Sequence, residues 1–438
     1  MVILGIETSC DETALALVKS GDGTNIEVLA EQTLSQAKLH AEHGGVFPNL
    51  AKREHAKNLL PLFRCVLEEA GFLKLKVTSS KLKVKKNLPT YNLQLTTTLE
   101  REPEMLEQFL EFIPTIEKPS IDAIAVTEGP GLEPCLWTGI NLAKALSLVW
   151  DIPIVPVNHM EGHVFSALLK AEKTADRRGL HADRRRKKET LPARYLLSTL
   201  SYPALALLIS GGHTELALMK DWFDYEIIGQ TRDDAVGEAF DKVARLLGLP
   251  YPGGPEISAL AEQARNPIQD SGFRIQEIHL PRPMVHSGDF DFSFSGLKTA
   301  VLYLLREHES RNQTSSVRDS LRSFSVSQRL QSLIAKEFEN AVTEVLIAKT
   351  EKAMEQNGAK TLLIGGGVIA NIHIRRSFEE LADELGISLF VPELDLTTDN
   401  ALMIATTGAL HLARRGIPPQ TARLQARGNL RLAQNKDL

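Results

Sequence analysis

Val2-Ile3-Leu4-Gly5-Ile6-Glu7-Thr8-Ser9-Cys10-Asp11-Glu12-Thr13-Ala14-Leu15-Ala16-Leu17-Val18 opens the chain, and Ala204-Leu205-Ala206-Leu207-Leu208-Ile209-Ser210-Gly211-Gly212-His213-Thr214-Glu215-Leu216-Ala217-Leu218-Met219 repeats its plan in the second half. Each stretch is two apolar runs joined by a short polar turn, the pattern of paired strands. Reading outward, the first copy predicts strands over 2–6, 14–18 and 26–31, a helix over 49–70, a strand over 121–126, a helix over 138–149, a strand over 154–157 and a helix over 159–170. The second predicts strands over 204–209, 214–219 and 225–228, helices over 234–247 and about 325–350, a strand over 362–364, a helix over 371–385, a strand over 388–391 and a helix over 400–412. One order, βββαβαβα, is met twice, so the fold class is α/β with two similar lobes. Ligands of such sheets bind outside the strand ends, which makes the cleft between lobes the expected site.

The expected division is a first lobe over 1–170 with an insertion at 74–119, a basic inter-lobe linker over 171–200, and a second lobe over 201–438. The second lobe carries an insertion at 250–324, rich in Pro, Gly, Ser and Arg and read as loops with short helices, and its last helix is expected near an inter-lobe metal site. Lys74, Lys76, Lys81, Lys83, Lys85 and Lys86 begin the first insertion, and Arg177, Arg178, Arg184, Arg185, Arg186, Lys187 and Lys188 mark the linker. Such charge blocks read first as solvated loops and second as RNA contacts.

A length of 438 residues, 43% hydrophobic and 24% charged, is that of a globular chain of two or three domains and excludes a fibre or a low-complexity polymer. The net charge of -5 gives no global field for a polyanion, so nucleic acid would have to meet local basic patches. Cys10, Cys65 and Cys135 are too few and scattered for a disulfide framework or a cysteine zinc site, which indicates a reducing compartment. No apolar run approaches a membrane span, and the amino terminus enters a strand without a leader pattern, so a cytoplasmic address is expected.

The two turns, led by Ser9 and by Ser210-Gly211-Gly212, sit at equivalent places after the first strand of each copy. Alone, either reads as a hairpin turn; as a matched pair they read as two phosphate clamps presenting backbone amides. His159-Met160-Glu161-Gly162-His163 sets two imidazoles at i and i+4 on one helix face, suited to one metal ion. Asp399 is the best third ligand, its alternative being a helix N-cap. Met160 stands where the zincin His-Glu-x-x-His pattern needs glutamate, and Glu161 points away from the metal face, so a peptidase is disfavoured. Asp11 and Glu12 are either reactive carboxylates or a turn Asp with a solvated neighbour, and Asp233, Asp234 and Asp241 pose the same question on the helix opening the second lobe's body. Gly365-Gly366-Gly367 followed by Asn371, and Tyr251-Pro252-Gly253-Gly254-Pro255, could line a nucleotide or form tight connections.

The chain resembles the tRNA N6-threonylcarbamoyladenosine transferase family, once called O-sialoglycoprotein endopeptidases, in its bacterial-like form. The resemblance rests on Gly5-Ile6-Glu7-Thr8-Ser9-Cys10-Asp11-Glu12-Thr13, His43-Gly44-Gly45-Val46 with Pro48, Gly129-Pro130-Gly131-Leu132, His159-Met160-Glu161-Gly162-His163 and Leu208-Ile209-Ser210-Gly211-Gly212-His213-Thr214. Further on come Gly237-Glu238-Ala239-Phe240-Asp241-Lys242, Tyr251-Pro252-Gly253-Gly254-Pro255, Phe292-Ser293-Phe294-Ser295-Gly296-Leu297-Lys298, Gly365-Gly366-Gly367-Val368 and Thr398-Asp399-Asn400, in the family's order. The two long insertions and Glu133-Pro134-Cys135 depart from the family's pattern.

The resemblance implies a duplicated actin-like, sugar-kinase-like ATPase fold. It implies an enzyme that moves the threonylcarbamoyl group from threonylcarbamoyl-AMP to N6 of the adenine beside the anticodon in tRNA, releasing AMP. It also implies one divalent metal, iron or zinc, on His159, His163 and Asp399. Leu208, Ile209, Ser210, Gly211, Gly212, Asp241, Gly254 and Asn371 match adenylate- or nucleotide-binding positions, with ATP or ADP a further ligand. Asp11 and Glu12 match acidic residues important for activity, and accessory proteins of the same pathway are expected partners. Rival readings are a nucleotide-gated actin-like scaffold without catalysis, a peptidase and a sugar kinase.

Overall fold

The computed structural model describes residues 1–76, 91–172, 193–265, 278–312, 328–417 and 424–433. The chain opens with strands β1 (Val2–Glu7), β2 (Glu12–Ser20) and β3 (Asn25–Ser35) and helices α1 (Ala37–Ala41), α2 (Pro48–Glu69), α3 (Tyr91–Leu99) and α4 (Pro103–Phe112). There follow β4 (Ala123–Gly129), α5 (Glu133–Trp150), β5 (Ile154–Asn158), α6 (His159–Leu168), β6 (Leu169–Ala171) and β7 (Ala193–Leu197). The second half begins with β8 (Ala204–Ile209), β9 (Thr214–Asp221), β10 (Asp224–Gln230), α7 (Val236–Leu246), α8 (Gly253–Arg265) and α9 (Ser295–Asn312). It ends with α10 (Gln328–Asn357), β11 (Thr361–Gly365), α11 (Ile372–Leu385), β12 (Ser388–Phe390) and α12 (Ala401–Arg415).

Two sheets carry one topology. The first runs β5-β4-β1-β2-β3-β7-β6 and the second β10-β9-β8-β11-β12. In both, the opening strand is central, antiparallel to the second strand and parallel to the fourth, and the fifth lies parallel beyond the fourth. This is the duplicated actin-like α/β fold. Strands β4 and β8 are buried along their whole length, which is why 123–126 and 204–209 read as continuous apolar runs and not as alternation.

The chain divides into two compact units, residues 1–36, 46–199 and 399–438 in one and residues 37–45 and 200–398 in the other. In the first, Leu4, Ile6, Leu15, Leu17, Val126, Ile140 and Leu146 form a core with Phe63 of α2 and Phe109 of α4. In the second, Leu205, Leu207, Ile209 and Ile364 pack against Phe240 of α7 and Phe338 of α10, whose rings meet edge-on at 5.0 Å.

The structure differs from the sequence division in three places. Residues 399–438 were expected with the second lobe, yet α12 packs on the first sheet. The reason is close approach: a Cβ on Gly5 would strike the Ala401 carbonyl, and one on Gly408 would lie 2.5 Å from Ala125 Cβ. Second, the expected linker includes strand residues. The helix expected to reach 170 stops at Leu168, and β6 pairs with β7, which pairs with β3 in the register Ile26↔Tyr195. Arg177, Arg178 and Arg184 to Lys188 lie outside the described residues, as do Lys81 to Lys86. Third, the expected insertion at 250–324 contains two substantial helices. α8 buries Ile257 and Ala261, and α9 buries Leu297, Val301 and Leu305 in the core of its unit.

Candidate active site and metal centre

In the first unit, β5 ends in Asn158, whose side-chain oxygen accepts the Met160 and Glu161 amides at 2.9 and 3.3 Å and starts α6 at His159. One turn on, His163 shares the same face. The rings meet edge-on, centroids 4.8 Å apart. At the start of α12 the cap is Asn400, which accepts the Met403 amide. Asp399 is therefore not the N-cap, and its carboxylate is left to face the histidines.

Nε2 of His159 and Nε2 of His163 lie 3.3 and 3.2 Å from Asp399 Oδ1. All three ligand atoms fall within 4.8 Å of one another. Neither ring nitrogen of the buried His163 makes a directed hydrogen bond, although Nε2 lies so close to Asp399. Two imidazole nitrogens converging on one carboxylate, one ring otherwise unsatisfied, make a donor set that could hold a divalent metal ion.

Behind the ligands stands Glu7 at the end of β1, fully buried. Its Oε2 is 3.1 Å from His159 Nδ1 and accepts Thr127 Oγ1 at 2.5 Å, while Oε1 accepts the Ser9 amide at 2.5 Å. A carboxylate there favours a proton on His159 Nδ1, the arrangement in which Nε2 could ligate a metal ion. Burial alone would depress the His159 imidazole, but Asp399 and Glu7 hold it well above the usual histidine range. For Asp399 burial is opposed by His159 and then His163, which keep the carboxyl far below its ordinary value. Burial would likewise raise the Glu7 carboxyl, and His159 outweighs it and lowers it.

Glu161 faces elsewhere, as its helical position requires. Its Oε2 lies 2.6 Å from His411 Nε2, tying α6, which carries His159 and His163, to α12, which begins two residues after Asp399. Gly162 admits Met403 and Ile404 at the same contact, where a Cβ would lie 3.2 Å from each side chain.

Asp11 ends the β1–β2 turn and Glu12 opens β2 in the same unit. Burial, then the charges of Asp11 and Asp399, push the Glu12 carboxyl up to about 9, against a hydrogen bond from Ser35 Oγ at 3.1 Å. Cys10 is raised well above its usual value by burial, Asp11 and Asp399. The charge of Asp399 thus reaches the acidic turn, so that the two histidines, Asp399 and the two carboxylates form one electrostatic cluster. The amide of Ser9, expected to clamp phosphate, is taken by Glu7, and its hydroxyl lies 3.3 Å from His159 Nδ1.

The other expected residues gather in the second unit. Leu208 and Ile209 end β8; Ser210 Oγ accepts the Gly212 and His213 amides at 3.3 and 3.1 Å, closing a tight turn. Gly366, at φ 97°, is pressed onto the Ile209 carbonyl, so the ends of the parallel neighbours β8 and β11 meet there. Asp241 Oδ1 accepts the Gly253 amide at 2.7 Å, fixing the turn that carries Gly254, around whose Cα the space is open. Asn371 caps α11 through the Ile374 amide at 3.0 Å and donates to Glu339, which also pairs with Arg265.

Asp233 and Asp234 were expected on α7 and instead precede it. The Asp233 carboxylate accepts Ser293 Oγ, Ser295 Oγ and the Phe294 and Ser295 amides, a staple that starts α9. Lys242 pairs with Asp234 at 2.6 Å and with Glu238 at 2.9 Å.

Fold and site together define a duplicated actin-like α/β protein in which two imidazoles and a carboxylate are gathered where they could hold a metal ion. The model of the family described as tRNA N6-adenosine threonylcarbamoyltransferase matches residues 27–79, 99–178 and 190–406. A relative of that name from Chromobacterium violaceum is 39% identical over 412 residues, 94% of this chain and 93% of its own. One from Burkholderia thailandensis is 39% identical over 414 residues (94% and 93%), and one from Nitrosospira multiformis 37% over 412 residues (94% and 91%). The chain belongs to the tRNA N6-adenosine threonylcarbamoyltransferase family, and it is an acyltransferase that modifies tRNA. The reading as a scaffold without catalysis is not favoured.

Proposed function

We propose that this chain takes threonylcarbamoyl-AMP as donor and the adenine beside the anticodon as acceptor, with one divalent metal, iron or zinc, on His159, His163 and Asp399. What carries the reading is the convergence of two Nε2 atoms on Asp399 Oδ1 in a chain of this family. A metal bound there supplies Lewis-acid charge for the donor's carbonyl or phosphate.

The remaining chemistry belongs to the chain. A bond forms from N6 to the carbamoyl carbon, the bond from that carbon to the phosphate oxygen breaks, and AMP leaves with the electron pair. The exocyclic amine is a poor nucleophile, so orientation and removal of its proton are needed. Burial, then the charges of Asp11 and Asp399, push the Glu12 carboxyl up, and on this reading its neighbour Asp11 accepts the N6 proton. The adenylate rests on Leu208 to Gly212, Asp241, Gly254 and Asn371, in keeping with strand ends and glycine turns open to a ligand. ATP or ADP is a further ligand of the same residues.

tRNA is bound by local basic surface, and accessory proteins of the same pathway complete the system in the cytoplasm, where the tRNA is. Among the described residues no helix is long and apolar enough to cross a membrane. The test is AMP release from synthetic threonylcarbamoyl-AMP with and without tRNA. Release that depends on tRNA and on metal supports the reading; release indifferent to both removes it.

A further inference from the structure

His55 lies on α2, distant in sequence from the metal ligands and the acidic turn, and is fully buried. Its Nε2 is 3.0 Å from the Cys10 carbonyl, and its Nδ1 is 2.7 Å from Thr13 Oγ1 and 3.4 Å from Gln36 Nε2. A carbonyl only accepts, so Nε2 carries the proton; Nδ1 then accepts the Thr13 hydroxyl. On the other side of the same residue, the Gln36 amide donates to the Asp11 carbonyl at 2.9 Å. The peptide groups before and after the Asp11 side chain are thus each held by a buried donor, one from α2 and one from the chain just after β3.

We infer that His55 is a positioning residue: as a neutral Nε2–H imidazole it fixes the Cys10 carbonyl and, with Gln36, the direction in which Asp11 presents its carboxylate. This rests on the proposed role of Asp11. The turn itself supplies no rigid element between β1 and β2, and a reacting carboxylate must hold its geometry within a fraction of an ångström. A histidine bridging two points of the turn does so without adding charge to a cluster already crowded with carboxylates.

The test uses full-length protein with His55→Leu, His55→Gln and Thr13→Val, alongside Asp11→Asn. Metal content, thermal unfolding, and kcat and KM for threonylcarbamoyl-AMP are measured for each. His55→Leu should lower kcat about 100-fold with KM and metal content unchanged. His55→Gln, whose amide can still donate to Cys10, should recover to within about tenfold of wild type, and Thr13→Val should lose about tenfold. If His55→Leu does not fold, the glutamine and valine variants decide by the same kcat-against-KM split. Full turnover in His55→Leu while Asp11→Asn is inactive overturns the inference and leaves Asp11 in place. Full turnover in Asp11→Asn overturns the role of Asp11 itself. A loss in His55→Leu that only tracks lost metal or folded protein, with no rescue by glutamine, makes His55 a packing residue and also overturns the inference.

Discussion

Glu7 Oε2 lies 3.1 Å from His159 Nδ1, on the side of the ring opposite Asp399. A carboxylate at the end of β1 thereby sets the tautomer of a histidine at the start of α6, and Glu7 is itself held by the Thr127 hydroxyl of β4 and the Ser9 amide just beyond β1. Glu7→Gln should weaken metal binding about 10- to 100-fold while the fold survives. Competition against a chelator measures this, and an unchanged affinity would remove Glu7 from the centre.

On the proposed site, a metal binding to His159 has to displace the proton that Asp399 and Glu7 hold there. Because that imidazole is raised well above its usual value, the displaced proton still counts at neutral pH. Affinity should therefore rise with pH through and above neutrality, by up to about tenfold per unit for one proton. In the metal-free protein His159 and Asp399 act on stability in opposite senses. Stability from the raised His159 is complete below the unfolded histidine value and fades as pH climbs through the folded one. Stability from the lowered Asp399 is complete above the unfolded carboxyl value and fades on acidification through its folded one. Calorimetry in buffers of different ionisation heat counts the protons; a pH-independent affinity contradicts the assignment.

Asp11→Asn should cost at least about 100-fold in kcat with little change in donor KM. Glu12→Gln imitates the protonated partner and should stay within about tenfold of wild type. A carboxyl raised to about 9 destabilises the fold as pH rises from the unfolded value towards 9. Metal-free Glu12→Gln should therefore lose less stability than wild type across that window in denaturant titrations.

Breaking the bolt between α6 and α12 tests packing and not chemistry. Glu161→Leu strips the partner from His411 Nε2, 2.6 Å away, in a contact buried on both sides. A loss of about 3 kcal/mol in unfolding free energy is expected. Stability within the error of wild type would show that the pair contributes nothing net.

The fold was legible because its signals are local. Apolar strands such as Ala204–Ile209 and the His159, His163 spacing declare themselves within one turn or one strand, and Asp399 stood out beside a helix start. What could not be read was pairing across the chain. Glu7 looks like the polar end of a strand, and nothing local says that Thr127 and His159 close around it. Glu161 and His411 are 250 residues apart. The assignment of α12 to the first unit depends on Gly5 and Gly408, whose missing side chains are a signal only once the strand and helix are known to touch. The strand β7 was hidden because Ala193–Leu197 follows a run of basic residues and is short.

The most direct test of the account is metal stoichiometry measured together with threonylcarbamoyl transfer in wild type, His159→Ala and His163→Ala. The account predicts about one iron or zinc per wild-type chain, and in both variants loss of the metal and of transfer to tRNA with the protein still folded. A full complement of metal in either variant, with transfer intact, would contradict it.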